Sequence, residues 1–542
     1  MRRDLRTLAG REFDLLVVGA GIYGATIASE AAHRGLTVAL VDRGDFGSGT
    51  SANSLKTVHG GLRSLQRANV SEMRRFIRER RALLRVAPHL VAPLRFVIPT
   101  RPGSVRSKLA MRVALALNDA IGRDRNAGLD PARRLPPSAV LDRAEMLRLL
   151  PGVDAAAVSG GAAWYDAQLY NADRLLLAFV AAAAAAGASV ANYVSATAIL
   201  RRGDRVEGVA ARDELTGAPF EIRARVTLNA AGGWTPGLLS AVGPTVASRL
   251  GLRLSRAFNL VTRLAAPPCA LGNTAGGQFL FCVPWRGIAM FGTMHDAHAG
   301  DADRVTVDRA DVDRFVGLVN HAFPFAALTA ADVTLVHRGL LPMVDGAGAE
   351  VRLVKDSLIR DHRADGIHGL LTVVGVRYTT ARETAERAVD SVADMLGRRI
   401  APSRSAVTPL PGGAIDDVAR FERIVRGSSA GLRPSLIDRL LRSYGTLTET
   451  LAARMRADEA LAAPVGHMCD ITTAEVNHAV RHEMALRLDD VVFRRTEAGS
   501  AGCPGEDALR TIAALMAADL GWDARRVDEE IRRVGDRYRI PE

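Results

Sequence analysis

The chain has 542 residues, of which 48% are hydrophobic and 24% charged, and its formal net charge is +12. This length excludes a single compact core and predicts two or more domains, while the composition is that of an ordinary folded protein. The positive balance favours an anionic partner (a phosphorylated substrate, an acidic membrane surface or nucleic acid), with free use of Arg on an ordinary surface as the alternative.

Cysteine usage and the N-terminus indicate a cytoplasmic protein. The four cysteines lie far apart without a CxxC pair, so we expect a reducing compartment, no disulfide framework and no zinc or other metal site. Residues 1–14 are basic and lack the apolar segment of a signal peptide. The apolar run that begins at Leu175 ends in a Gly-Ala-Ser turn, which predicts a buried helix followed by a strand rather than a membrane span.

The first predicted elements are a strand, a Gly-x-Gly-x-x-Gly turn, a helix and a second strand, over residues 14–42. Gly19 permits the tight turn, Gly21 lets the backbone approach a pyrophosphate, and Gly24 allows the helix to pack closely on the strand. Asp42 ends the second strand, where its carboxylate is placed to accept hydrogen bonds from a ribose hydroxyl. The pattern predicts a dinucleotide-binding unit.

The segment that follows favours FAD over NAD. Residues 44–63 form a long loop rich in Gly, Ser, Thr and Asn, whereas a nicotinamide enzyme usually continues into further βα units. Two later strand–glycine turns, at residues 226–236 and 371–380, supply further backbone that can approach an extended cofactor. The helix after the second of these turns begins near Thr379, where its N-terminus can stabilise negative charge on a reduced flavin ring.

Between and beyond these turns the predicted elements change character. Residues 100–126 have a basic amphipathic helix pattern, which indicates either a membrane-facing surface or a solvated helix. Residues 253–365 contain short strand-like runs that predict an antiparallel sheet. Residues 408–417 form a Pro/Gly-rich linker, and helical patterns continue from there to the C-terminus.

Six stretches of the sequence resemble segments of a known family. They are TSANSLKTVHGGLRSLQ at 50–66, APHLVAPLRFVIP at 87–99, YNADRLLLAFVAAA at 170–183, IRDH at 359–362, GVRYTTAR at 375–382 and EVNHAVRHEMALRLDDVVFRRTEAG at 475–499. Together they resemble the FAD-dependent glycerol-3-phosphate dehydrogenases, within the larger D-amino-acid-oxidase-like superfamily of flavoproteins.

The resemblance implies an α/β fold in which a Rossmann-like FAD-binding domain is interleaved with an antiparallel-sheet substrate domain and followed by a helical C-terminal cap domain. The implied boundaries are FAD-binding segments at about 10–100, 155–240 and 370–400, substrate-domain segments at about 100–154 and 250–368, a linker at 408–417 and a helical domain at 418–542.

The implied reaction is oxidation of sn-glycerol 3-phosphate to dihydroxyacetone phosphate by hydride transfer to flavin N5, with the electrons passed to a quinone or another acceptor. The implied location is the cytoplasm, with peripheral docking on the cytoplasmic face of the inner membrane and a homodimer both left open. We expect no nucleic-acid partner because no DNA- or RNA-binding motif is present; a flavoprotein scaffold without turnover is the alternative from another functional class.

Site residues carry over from the family one by one. His59, Arg63 and Arg377 are the candidate catalytic residues, and Arg63, Arg360, Arg377 and Asn259 are the candidate substrate-binding residues. A solvated surface position is the alternative for each arginine, and a structural or flavin-contacting role is the alternative for His59. The predicted cofactor contacts are Gly19, Gly21, Gly24, Asp42, Arg43, Thr50, Ser51, His59, Gly61, Ala231, Gly232, Gly375, Arg377, Tyr378 and Thr379.

Several substrate-side positions depart from the family pattern. Ser64 stands where the family usually has Tyr, Asn259 replaces a histidine and cannot serve as a base, and Leu341 replaces an arginine. Arg377 replaces a lysine, which keeps the charge but changes its shape, and His295 stands where the family usually has an aspartate or another small polar residue. The same flavin chemistry acting on a different hydroxy or amino substrate is therefore the alternative hypothesis.

Overall fold

The computed structural model of the protein describes residues 1–103, 106–344 and 351–542. Within these residues, the strands form two large sheets and one hairpin. In chain order the strands are β1 (Glu12–Val18), β2 (Val38–Val41), β3 (Thr57–Val58), β4 (Val91–Thr100), β5 (Ala139–Leu141), β6 (Gly160–Leu169), β7 (Ser189–Ala191), β8 (Val194–Arg202), β9 (Arg205–Asp213), β10 (Pro219–Asn229), β11 (Arg253–Ala265), β12 (Ala270–Ala275), β13 (Gln278–Trp285), β14 (Ile288–His298), β15 (Val333–Val344), β16 (Arg352–Leu353), β17 (Leu358–Asp361), β18 (Leu370–Val374), β19 (Pro464–Gly466) and β20 (Cys469–Thr472). The α-helices are α1 (Leu5–Gly10), α2 (Ile22–His33), α3 (Val70–Val86), α4 (Lys108–Ile121), α5 (Arg143–Leu149), α6 (Ala172–Ala185), α7 (Thr235–Ser240), α8 (Pro244–Leu250), α9 (Arg309–Ala322), α10 (Ala381–Leu396), α11 (Val418–Ser428), α12 (Pro434–Tyr444), α13 (Leu447–Ala457), α14 (Glu459–Ala462), α15 (Thr473–His482), α16 (Glu506–Leu520) and α17 (Ala524–Asp536).

The first sheet has a parallel centre in the order β18-β10-β1-β2-β7. Strand β17 extends it antiparallel beside β18, and β8 and β9 form a meander that pairs with the first half of β10. Every residue of β1 after Glu12 is buried, as expected for a parallel strand that is covered on both faces. Helix α2 packs against both α6 and α10, and all three contribute to one apolar core with the sheet. This arrangement confirms the Rossmann-like prediction.

The second sheet has the strand order β16-β15-β11-β14-β13-β12-β4-β6-β3, with β5 also paired to β6. Its pairs are antiparallel except for β12 with β4. Aromatic side chains fill the core between this sheet and α9, where the rings of Phe258 and Phe315 meet edge to face with centroids 5.4 Å apart. The antiparallel sheet expected from residues 253–365 is therefore confirmed for β11–β16.

The two sheets divide the chain differently from the predicted segments. Strands β3, β4 and β6 belong to the second sheet, although their residues lie within the segments 10–100 and 155–240 that were expected to bind FAD. Conversely, β17 lies within 250–368 but pairs with β18 of the first sheet. The reason is that the local pattern of a strand indicates its buried faces and not its partner, which long-range pairing decides.

The C-terminal region is helical, as predicted, with α11–α17 and the β19–β20 hairpin. The described residues between α10 and α11, which include the predicted linker at 408–417, contain no helix or strand. Buried ion pairs join this region to the first sheet: Arg495 binds Asp45 through two hydrogen bonds of 2.7 Å each. No helix in the described part of the chain has the length and apolar character needed to cross a membrane.

Candidate cofactor and substrate site

A large cavity of about 2720 Å³ lies beyond the carboxyl ends of β1, β2, β10 and β18 and extends to the second sheet. Small-molecule sites usually have volumes of about 300–1,000 Å³, so this cavity has room for an extended dinucleotide together with a second ligand. The carboxyl ends of parallel strands are also where nucleotide cofactors bind in open α/β sheets. Most of the predicted site residues line this cavity.

The glycine turn between β1 and α2 leaves space only for backbone. Gly19 has φ +101°, and a Cβ there would lie 2.7 Å from the carbonyl oxygen of Ala230. A Cβ on Gly24 would lie 1.8 Å from the carbonyl oxygen of Gly19, so only glycine permits this contact between helix and turn. The Ile22 N–H donates to Ser51 Oγ at 2.9 Å, which ties the turn to the long loop at the predicted pyrophosphate position.

Asp42 is placed by backbone hydrogen bonds at the end of β2. Its Oδ2 accepts from the Ala20 N–H at 2.6 Å and its Oδ1 accepts from the Gly44 N–H at 2.9 Å. Burial raises the pKa of Asp42 to about 6 despite these two donors, with the charge of Asp45 adding to the rise. The carboxylate is therefore held in one orientation towards the cavity, as recognition of a ribose requires.

Arg43 closes one end of the cavity. Its guanidinium pairs with Asp303 and stacks over the Trp234 ring, with 4.6 Å between the Cζ atom and the ring centroid. The Trp234 Nε1–H also donates to Asp303 Oδ1 at 2.7 Å. Residues that follow β2, β10 and β14 thus meet beside Asp42. The sequence predicted Arg43 as a cofactor contact, but it did not predict the partners of Arg43, which are Trp234 and Asp303.

The two later glycine turns also reach the cavity. Ala231 and Gly232 follow β10, and Gly232 has φ +57° with open space where a Cβ would project. A Cβ on Gly375 would lie 2.0 Å from the Tyr23 ring, so α2 and the turn after β18 approach as closely as glycine allows. The hydroxyl of Tyr23 donates to the Arg377 carbonyl oxygen at 2.8 Å. This hydrogen bond holds the turn after β18 against the start of α2.

The long loop packs against the second sheet and against helix α3. Thr50 Oγ1 exchanges hydrogen bonds with the backbone of Leu340 on β15, each at 3.1 Å. The Tyr378 hydroxyl donates to the Ala172 carbonyl oxygen at 2.6 Å, and Gly61 has φ +82° with its Cα against α3. The contacts of Thr50 and Gly61 hold the loop along the cavity, and the Tyr378 contact joins the turn after β18 to α6.

His59 lies on the cavity wall beside a buried carboxylate. Its Nδ1 is 3.6 Å from Asp166 Oδ2, its Nε2 is 3.2 Å from Thr57 Oγ1, and its backbone N–H donates to Thr379 Oγ1 at 3.1 Å. Asp166 on β6 also pairs with Arg80 and accepts from the Gly60 N–H at 2.7 Å. Burial raises the pKa of Asp166, but Arg80 and His59 outweigh that effect and leave the pKa below its ordinary value.

The three predicted cations have different surroundings. Arg63 lines the cavity and is exposed, and it forms no ion pair within the described residues. Arg377 also lines the cavity, but its Nη1 lies 3.0 Å from Glu72 Oε1. Arg360 does not line the cavity; it pairs with Asp365 at 2.7 Å beside β17. The structure thus brings Arg63 and Arg377 to the site and leaves Arg360 outside it.

Asn259, which replaces the expected base, is buried in the cavity wall, and His295 is partly buried there. Asn259 Oδ1 accepts from Thr293 Oγ1 at 2.7 Å and its Nδ2 donates to the Asn53 carbonyl oxygen at 3.2 Å, so both ends of the amide are used within the protein. His295 faces the same cavity, and burial lowers its pKa to about 4. A neutral imidazole and an amide therefore stand on this wall, and neither carries a charge at neutral pH.

The residues present fit FAD. The glycine turn excludes side chains from the pyrophosphate position, the oriented carboxylate of Asp42 lies beside it, and the loop from Thr50 follows the cavity towards the glycine turn after β18. Sequence reasoning missed Asp166, Glu72, Trp234 and Asp303, because a lone acid or tryptophan on a helix, strand or loop gives no motif. Asp166 contacts His59, Glu72 contacts Arg377, and Trp234 and Asp303 contact Arg43, and these contacts form only in the folded protein.

Comparison with known proteins agrees with this geometry. Residues 14–390 match the family described as FAD dependent oxidoreductase, and residues 403–527 match the C-terminal domain of alpha-glycerophosphate oxidase. Glycerol-3-phosphate dehydrogenase 2 of Mycobacterium bovis is 33% identical over 536 residues, which cover 97% of this chain and 88% of the relative. Glycerol-3-phosphate dehydrogenase of Synechocystis is 29% identical over 547 residues, covering 98% and 97%.

A solved structure supports the same fold. The glycerol-3-phosphate dehydrogenase from Bacillus halodurans, in complex with FAD, superposes on 99% of this chain and 96% of its own with a TM-score of 0.75 and 24% identity. The family match spans both sheets and the relatives span almost the whole chain. The protein is an FAD-dependent oxidoreductase, and the chain belongs to the family of FAD-dependent glycerol-3-phosphate dehydrogenases.

Proposed function

We propose that the protein oxidises sn-glycerol 3-phosphate to dihydroxyacetone phosphate and passes the electrons to a membrane quinone. The observation that carries the proposal is that His59 and Arg63, only four residues apart, both line the cavity that holds the cofactor cradle. FAD, when bound, supplies the acceptor for the hydride of the substrate's C2, and the quinone then receives the two electrons. The curated relatives are named for this substrate.

His59 is proposed as the base that takes the proton of the C2 hydroxyl. Asn259 has no basic atom, and the Nδ1 of His295 is buried and without a hydrogen-bond partner in the described residues. The His59 side chain is about half exposed to the cavity, so its ring can meet a substrate. Asp166, 3.6 Å from Nδ1, orients the ring, the arrangement that acid–base catalysis uses.

Arg63 is proposed as the main phosphate ligand. A guanidinium matches the geometry of a phosphate through paired N–H donors, and no carboxylate of the described residues is bound to Arg63. The Leu341 position, where the family has an arginine, contributes no charge to the cavity.

Helix α4 supports the membrane part of the proposal. Leu109, Val113 and Leu117 form one face of this helix and are 71%, 54% and 50% exposed, while Met111 and Leu115 are buried on the opposite face. Val113 and Leu117 also line the cavity. An apolar stripe with flanking basic residues suits an anionic phospholipid surface, and at this place it would open the cavity to a quinone dissolved in the bilayer.

The test is anaerobic titration of the oxidised holoenzyme with sn-glycerol 3-phosphate. The proposal expects bleaching of the flavin absorbance and stoichiometric dihydroxyacetone phosphate. A flavin that stays oxidised with this substrate, but bleaches with another hydroxy or amino compound, would favour the alternative substrate. That alternative gains support from one observation, the carboxylate of Glu72 beside Arg377.

A further inference from the structure

Glu72 places a carboxylate in the part of the cavity where the sequence led us to expect only cations. It lies in the first turn of α3, it is 8% exposed, and it lines the cavity together with Arg377. Its Oε1 binds Arg377 Nη1 at 3.0 Å and its Oε2 accepts from Ser64 Oγ at 2.8 Å. Ser64 is the residue that stands in place of the family's tyrosine, so the departure at 64 and the carboxylate at 72 form one structural unit.

The arrangement holds the Arg377 guanidinium in place. The Arg377 Cζ atom lies 4.8 Å from the centroid of the Phe76 ring, one turn further along α3. Glu72 and Phe76 therefore contact the same guanidinium from one face of the helix, Glu72 through an ion pair and Phe76 through a cation–π contact. Arg377 remains about one third exposed to the cavity, so a ligand can still reach it.

Glu72 is ionised at neutral pH. Burial and the negative charge of Asp356 raise its pKa, but the Ser64 hydrogen bond and the Arg377 charge lower it further, and the net pKa lies below its ordinary value. The Glu72–Arg377 pair thus carries no net charge. A phosphate dianion beside Arg377 would meet the repulsion of a carboxylate at close range, whereas a hydroxyl or ammonium group could donate to Glu72.

We propose that Glu72, held by Ser64, sets the charge selectivity of the substrate site by neutralising Arg377. The site then accepts a hydroxyl or ammonium donor beside Arg377 and leaves recognition of an anionic group to Arg63. This inference rests on the proposed function only in taking the cavity as the substrate site. The substrate class that it names is a compound with a hydrogen-bond donor at one end and an anionic group at the other.

The test is whether the protein binds phosphate more tightly when the charge of Glu72 is removed. Glu72→Gln keeps the shape of the side chain, and Glu72→Met keeps its volume without an unpaired amide. The affinity of the oxidised holoenzyme for inorganic phosphate is measured by flavin difference absorbance, without turnover. We expect both variants to bind phosphate about tenfold more tightly, because the repulsion between the phosphate and one nearby negative charge is removed. Arg377→Gln in the Glu72→Gln background should abolish this gain in affinity.

Glu383→Gln is the matched control, because it removes a carboxylate that pairs with Arg75 and Arg387 outside the cavity; its phosphate affinity should equal that of the native protein. Retained FAD absorbance shows that each variant is folded. Unchanged or weaker phosphate binding in the variants of Glu72 that retain FAD would overturn the inference. The result is independent of turnover, so a native enzyme that fails to oxidise sn-glycerol 3-phosphate would refute the proposed function and leave this comparison intact.

Discussion

Asp166 lies behind His59, with its Oδ2 3.6 Å from the ring Nδ1, and Arg80 and the Gly60 N–H hold the same carboxylate from the protein side. The imidazole is therefore oriented from one side and open to the cavity on the other. Two residues that are distant in sequence, on the long loop and on β6, form the pair that the proposed reaction requires.

This pair gives the first prediction. His59→Gln should lower the anaerobic rate of flavin reduction by about 10²- to 10⁴-fold, the usual contribution of a positioned base. Asp166→Asn should lower kcat by about tenfold or more and leave KM nearly unchanged, because the ring loses the carboxylate that orients it. Asp361→Asn, at an exposed pair with Arg363, is the control. A kcat unchanged by Asp166→Asn would contradict the positioning role.

A second prediction concerns the glycine turn. Gly24→Ala would place a methyl group 1.8 Å from the Gly19 carbonyl oxygen, so either α2 or the turn must move away from the pyrophosphate position. We expect the purified variant to lose most of its FAD, as measured by the ratio of absorbance at the flavin and protein bands. Gly237 lies at the cavity, but a Cβ there would meet nothing within 4 Å, so Gly237→Ala should retain FAD.

A third prediction concerns the pH dependence of cofactor binding. Burial raises the pKa of Asp42 to about 6, and only the ionised carboxylate offers all its acceptors to a ribose. Since FAD binds the ionised form better, its affinity for the apoprotein should be level above pH about 6 and fall below it, by at most about tenfold per pH unit. Titration of intrinsic fluorescence with FAD measures this. Asp42→Asn should bind FAD more weakly than the native protein and show no dependence in this range; a native affinity that is flat through pH 6 would be evidence against the assignment.

The sequence predicts those parts of the site whose residues lie close together in the chain, and not those that form only when distant elements pack together. The glycines of the first turn and Asp42 are close in sequence, and the strand–turn–helix–strand pattern around them explains each residue type. The cofactor site was therefore predictable. Asp166 and Glu72 act through contacts made only when β6 and α3 are folded beside the loop at 59–64. Their side chains have no local periodicity or motif that distinguishes them from surface acids. The same holds for β4, whose apolar pattern shows a buried strand but not the sheet that it joins.

A fourth prediction tests the apolar stripe of α4. A variant with Asp at 109, 113 and 117 should lose binding to vesicles that contain anionic phospholipid, as seen by flotation, because apolar insertion is lost and charge repulsion is added. Activity with a water-soluble dye should persist while activity with a long-chain quinone falls. Ile424 on α11 is equally exposed, at 50%, and Ile424→Asp should change neither. Unaltered vesicle binding in the triple variant would place the membrane contact elsewhere.

The last prediction concerns the contact between the first sheet and the helical C-terminal region. Asp45 lies three residues after Asp42, and its carboxylate is fully buried between Arg494 and Arg495, which draw its pKa far below the ordinary value against the effect of burial. Removing one partner of a buried pair leaves an uncompensated charge, so Asp45→Asn should cost about 3–5 kcal/mol of stability. Asp438→Asn, at a half-exposed pair with Arg426, should cost less than about 1 kcal/mol. Urea unfolding of the FAD-saturated proteins measures both. Because Asp45 and Asp42 share one loop, Asp45→Asn should also speed release of FAD and cleavage by protease within the predicted linker at 408–417. A variant that is destabilised but releases FAD at the native rate would show instead that the two regions are not coupled.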